Sequence, residues 1–152
     1  VSGNGRKRKA FTLVELLIVI IIIGILSSVM LLLMGTAEDK AEATAILSDM
    51  RSMKSAMVIF KLEKGRWPVL TSDETEIKKL FGGASLENFS LMSSGDEYAY
   101  VLYDLIDYSG GVRKKLALMA DSSGLLKKNT SLPGVTPESY TEDGTEVEMK
   151  VH

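Results

Sequence analysis

Glu15 is the residue that most needs a chemical explanation. It stands inside a run from Phe11 to Met34 that carries no other charge. As a helix this run reaches about 36 Å at about 1.5 Å per residue, enough for a bilayer core of about 30 Å. A carboxylate at the bilayer centre costs on the order of 2.5–3.5 kcal/mol, and less toward either end. Nearness to a helix N-terminus lowers that cost, because free N–H groups and the macrodipole favour an anion there. A neighbouring ammonium would lower it further. Without such a partner, Glu15 would snorkel to the interface at its own end of the helix.

Other side chains offer little chemistry. The sole His is His152, the last residue, and there is no Cys. Disulfides, thiolate metal sites and cysteine nucleophiles are therefore excluded. No Ser sits in a G-x-S-x-G context, and there is no Gly-rich phosphate loop. Glu138, Glu142, Asp143, Glu146 and Glu148 cluster near the C-terminus. Oxygen-rich loops hold Ca²⁺, but the spacing reads better as a solvated loop. Tyr98, Tyr100, Tyr103 and Tyr108 read as cross-strand packing rather than as a contact surface.

Charge separates two regions. Arg6, Lys7, Arg8 and Lys9 precede the apolar run. Removing these four positive charges from the formal net charge of −2 leaves −6. A mildly acidic body argues against nucleic-acid binding, and a basic cluster beside an apolar run marks the cytoplasmic flank of a membrane segment. A cleaved secretory signal would use Gly35 and Ala37 near its cut. Signal cores run about 7–15 residues, and this run is longer and holds Glu15.

The stretch "KAFTLVELLIVIIIIGIL" resembles the type IV pilin and pseudopilin family: a basic leader, a small residue, Phe, and a Glu four positions on. The resemblance implies that a prepilin peptidase cuts between Ala10 and Phe11, and that the new Phe11 amine is N-methylated. It also implies that Glu15 of one subunit meets the Phe11 amine of a neighbour in a filament. In low dielectric such a pair selects register, because an unpaired charge is heavily penalised. Two departures stand out. The family usually has Gly where this chain has Ala10, and pilins commonly carry a Pro in the second half of the apolar segment, which is absent here. The segment "FKLEKGRWP" resembles the end of the long helix in secretion pseudopilins, with Trp67 where Tyr is usual. The Asp-rich and Trp-Gly patterns of the major secretion pseudopilin, some of which bind calcium, are not found.

The elements that must position these residues follow from periodicity. Ala43, Ile46, Met50, Met53, Met57 and Phe60 recur at helical spacing, which predicts one long helix from about Phe11 to Glu63. Gly65 and Pro68 end it, with Trp67 capping the core. Thr71 and Glu74 form a capping-box signature for a short helix closed by Gly82 and Gly83. "YAYVLYDLIDY" predicts a strand with Tyr98, Tyr100, Leu102 and Ile106 on one face and Val101, Tyr103 and Leu105 on the other. "YSGG" predicts a hairpin turn, with "VRKKLALMA" returning and placing Val112, Leu116, Leu118 and Ala120 together. "LLKK" and "VEMKV" predict further strands.

The expected fold is α+β and pilin-like: a long N-terminal helix, transmembrane then amphipathic, packed on a small antiparallel β-sheet head. Residues 1–10 form the leader, 11–34 the transmembrane half of the helix, 35–64 its amphipathic half and 65–152 the head. The resemblance implies a structural filament subunit, not an enzyme. Ala10 and Phe11 are its processing residues and Glu15 its assembly residue, with no cofactor or metal. It implies as partners copies of itself or sister pilins, a prepilin peptidase, an inner-membrane platform protein and an assembly ATPase, with membrane lipid before assembly and no specific nucleic acid. The expected place is the bacterial cytoplasmic membrane, single-pass with the head outside, then a pilus or pseudopilus. Two alternatives stand beside a pilus subunit: a pseudopilin of a type II secretion or DNA-uptake system, and a membrane-tethered binding module that does not polymerise.

Overall fold

The computed structural model describes residues 11–95, 97–128 and 136–152, with residues 31–34 described by their backbone alone. The chain divides into two units that meet between Ala37 and Glu38. Helix α1, Leu13–Lys64, contributes to both. Within the first unit its side chains from Leu13 to Met30 are exposed, and this stretch is long and apolar enough to cross a membrane.

The second unit holds the rest of α1 and six further elements. They are α2 (Leu70–Leu80), β1 (Phe89–Ser94), β2 (Tyr98–Asp104), α3 (Gly110–Ser123), β3 (Leu125–Lys127) and β4 (Glu146–Lys150). The strands form one antiparallel sheet in the order β1-β2-β4-β3. The expected α+β arrangement, a long helix on a small antiparallel sheet, is what the chain adopts.

The core follows the helical stripe read from the sequence. Ala43, Ile46, Met50, Met53, Met57 and Phe60 are all buried. They share one cluster with Ala99, Val101, Tyr103 and Leu105 of the β2 region and with Val147 and Met149 of β4. Gly65 ends α1 at φ +74°, and its N–H donates to the Lys61 carbonyl at 2.8 Å. A Cβ in this left-handed region costs roughly 1–2 kcal/mol, so glycine is the fitting residue. Trp67 is buried beside the helix end, as expected.

The entry to α2 corrects the expected capping box. The N-cap is Val69, and Thr71 lies inside the first turn. Asp73 does the capping: its Oδ2 accepts the Val69 N–H at 2.8 Å. Arg66 donates both guanidinium arms to the same carboxylate, at 2.7 and 2.8 Å, and lies over the Phe60 ring. The Arg66 guanidinium, then the Val69 amide, hold the Asp73 carboxyl well below the usual carboxylate range. The expected closure by Gly82 and Gly83 is present: both have positive φ, and the Gly83 N–H donates to the Lys78 carbonyl at 2.7 Å.

A larger correction concerns the hairpin. The partner of β2 is β1, which precedes it; Phe89 faces Tyr103 and Ser94 faces Tyr98 across the ladder. The segment expected to return as a strand is the helix α3. Ser109 caps it by accepting the Val112 N–H at 3.2 Å, and Gly124 closes it at φ +69°. The buried residues Val112, Leu116 and Ala120 recur every fourth position, a helical period, while Leu118 points out at 74% exposure. An alternating reading and a helical one share most of these positions, and Leu118 is where they differ. Ile106, expected on a strand face, lies beyond β2 and is exposed.

The tyrosines pack rather than present a surface. Phe89 and Tyr103 meet edge to face at 4.9 Å between centroids, and the Tyr103 and Tyr108 hydroxyls lie 2.8 Å apart. Burial, then the Tyr108 hydroxyl, push the Tyr103 phenol up to about 12.

Two outcomes are expected. Met53→Ala opens a cavity under the sheet and lowers stability by about 2–5 kcal/mol in urea titration of the detergent-solubilised chain. The depressed Asp73 pKa contributes stability that is complete above its unfolded value of about 4 and is lost as pH falls below it. Asp73→Asn should therefore flatten the acid limb of a stability-versus-pH curve. An equally steep limb in that variant would disprove the role of the latch.

Candidate functional site

The site is the start of α1. Ala10, one of the two processing residues, lies outside the described residues, so only Phe11 and Glu15 are placed. Phe11 precedes the helix and is 87% exposed. Phe11, Glu15, Leu16, Ile18 and Val19 line one shallow groove within the first unit.

Glu15 is held by its own chain. Its Oε2 accepts the Thr12 N–H and the Thr12 hydroxyl, each at 2.9 Å. In return the Thr12 Oγ1 accepts the Glu15 N–H at 3.2 Å. This is a reciprocal capping box, in which Thr12 and the Glu three residues on satisfy backbone N–H groups that begin a helix. Thr12 is the functional residue that the sequence reading passed over. Its signal was available as T-x-x-E before an apolar run.

The arrangement has a chemical consequence. Both bonds fall on Oε2, and the Glu15 side chain is exposed. A cut before Phe11 would place an ammonium within a turn of it.

The other acidic residues gather no site. Glu138, Glu142 and Asp143 are exposed, and Glu146 pairs with Lys128. Glu148 departs from the expected solvated loop: it is fully buried in the middle of β4, opposite Leu102 on one side and Leu126 on the other. Among the described residues no group of three or more His, Cys, Asp or Glu is placed to hold a metal.

Comparison with known proteins bears on this site directly. Residues 5–31 match the family model of the prokaryotic N-terminal methylation motif. Curated relatives named type II secretion system core protein G are similar over the same order of length. The one from Pectobacterium carotovorum is 38% identical over 77 residues, covering 51% of this chain and 47% of its own. That from Pseudomonas aeruginosa is 27% identical over 86 residues, covering 56% and 61%. That from Escherichia coli is 38% identical over 62 residues, covering 41% and 43%. The chain thus spans about half the length of the curated relatives it matches. No solved structure matches it. The methylation motif at the head of an apolar helix, together with an α+β head, defines the class of pilin-like proteins. Over its N-terminal half the chain is similar to the pseudopilins of type II secretion, and residues 5–31 carry the N-terminal methylation motif.

The capping box carries its own test. Thr12→Ala removes both Thr12 side-chain bonds, whereas Thr12→Ser retains them. Loss of a cap of about 1 kcal/mol should speed amide exchange over residues 12–15 roughly fivefold in micelles for the Ala variant. The Ser variant should exchange like the parent.

Proposed function

We propose that the chain is a pseudopilin: a structural subunit of a secretion-type filament, processed before Phe11 and assembled through its N-terminal helix. The observation that carries this reading is the capped Glu15 carboxylate in the first turn of an apolar helix, which sits within the matched methylation motif. The names of the similar proteins favour a type II secretion pseudopilus over a surface pilus. A "KGRWP" helix end and the absence of cysteine lean the same way.

On this reading the protein waits in the cytoplasmic membrane as a single-pass protein, basic flank inside and head outside. A prepilin peptidase removes the segment through Ala10 and the Phe11 amine is methylated. A platform protein and an assembly ATPase then move the subunit from lipid into a filament of copies or sister pilins. Exchange of lipid for other apolar helices is nearly neutral in hydrophobic terms. The Glu15–Phe11 pair therefore supplies the register. The function is scaffolding, and no reaction, cofactor or nucleic acid is assigned to it.

Two measurements test the reading. Intact mass of the protein made with a prepilin peptidase should give a chain that starts at Phe11 and carries one added methyl. Glu15→Ala should still insert in the membrane but fail to enter filaments. A chain that retains Arg6 to Ala10, or a Glu15→Ala variant that assembles normally, would favour a tethered module that never polymerises.

A further inference from the structure

We propose that the turn between β2 and α3 docks in a groove beside α1 of a second copy of this chain, making a head-to-tail contact. This rests on the filament-subunit reading above and assigns it a specific interface in the head.

The turn is built as a rigid knob. Ile106 stands at its tip, 68% exposed, between the exposed carboxylates Asp104 and Asp107. Leu105 beside it is fully buried, and its N–H donates to the Thr145 carbonyl at 2.7 Å. Asp104 Oδ1 accepts the Ile106 N–H at 2.9 Å, and the Tyr108 N–H donates to the Leu105 carbonyl at 3.1 Å. An apolar tip with two acidic shoulders is therefore fixed before any partner arrives, which lowers the ordering cost of docking.

The groove has the opposite character. It encloses about 680 Å³ between α1, the end of α3 and β4. Val58, Ile59 and Met149 give it an apolar floor, while Arg51, Lys54 and Lys150 line its rim. Arg51 reaches toward the Ser123 hydroxyl at 3.5 Å, and Lys54 donates to the Lys150 carbonyl at 2.8 Å. None of the three cations is in an ion pair among the described residues. In a chain with net charge −2, this is a local positive patch around exposed apolar side chains. An acidic knob with an isoleucine tip matches it in sign and in polarity.

Knob and groove of one chain cannot meet. Ser109, just after the turn, donates to Asp39 Oδ1 at 2.7 Å, which sets the knob at the level of residue 39 of α1. The groove lies at residues 51–59, roughly 18–30 Å further along the helix. Two different patches separated along one axis give a heterologous contact, and repetition of such a contact builds an open helical filament rather than a closed dimer. A second copy is therefore the occupant that fits both the chemistry and the spacing.

The chain has no cysteine, so introduced ones report without background. Both positions to be changed, Ile59 and Ile106, are exposed and leave the core intact. Filaments of the double variant Ile59→Cys/Ile106→Cys should oxidise to a ladder of dimers, trimers and higher multimers, and neither single variant should ladder. Asp107→Lys should reduce assembly about tenfold, and Lys150→Glu should restore it in the same chain. Normal filaments without a ladder would overturn the contact and leave the filament reading standing. So would protection of the cysteine at position 59 by a different subunit or by anionic lipid. Failure of the unmodified, processed chain to form filaments would overturn the filament reading, and this contact with it.

Discussion

The bonds between Thr12 and Glu15 settle how a carboxylate can occupy the first turn of a helix bound for lipid. A free Glu there would be costly in hydrocarbon, and an apolar residue would leave the opening N–H groups unsatisfied. The reciprocal box answers both demands with one pair of side chains. Both bonds to the carboxylate fall on one oxygen, Oε2, and the side chain is exposed, as the assembly role proposed for Glu15 requires. On the function proposed, a neighbour's ammonium would satisfy this charge further.

The second constraint is that α1 must work in two solvents. From Leu13 to Met30 its side chains are apolar on all sides, as a segment in lipid requires. From Ala43 to Phe60 it keeps apolar residues on a stripe and buries them under the sheet. The head is thus built around a helix that it does not own entirely. Its remaining elements are short, and each is fixed by local devices: Asp73 with Arg66 for α2, Ser109 and Gly124 for α3, and Gly65 at the end of α1.

Legibility in the sequence followed the length of the periodic signal. The stripe on α1 spans several turns, so its period could not be mistaken, and every stripe residue is buried. The α3 segment spans few turns, and Val112, Leu116 and Ala120 satisfy both an even spacing and a fourfold one. Only Leu118 separates the two, and reading it as a core residue turned a helix into a strand. β1, "FSLMSS", has a weak alternating pattern with serines inside it, and it became visible only through its pairing with β2. At the site, the Phe11 and Glu15 roles were read through resemblance to a family. The Thr12 contribution was readable from capping chemistry alone. Asp73 illustrates the opposite case: its partner Arg66 lies seven residues away across a proline, so no local motif announces the pair.

Filament growth needs contacts that repeat without closing. The charge pair proposed for the apolar helix would supply register but little breadth, because helix-to-helix packing in lipid and in a filament core are similar in energy. Discrimination must then come from the heads, where water makes apolar burial favourable. The Ile106 turn and the Arg51–Lys150 groove sit at different heights on the same head, so their union selects copies displaced along the axis over copies side by side. Asp104 and Asp107 would repel a partner that presented another acidic surface. On these proposals, register in the helix and choice of neighbour in the head are separate functions.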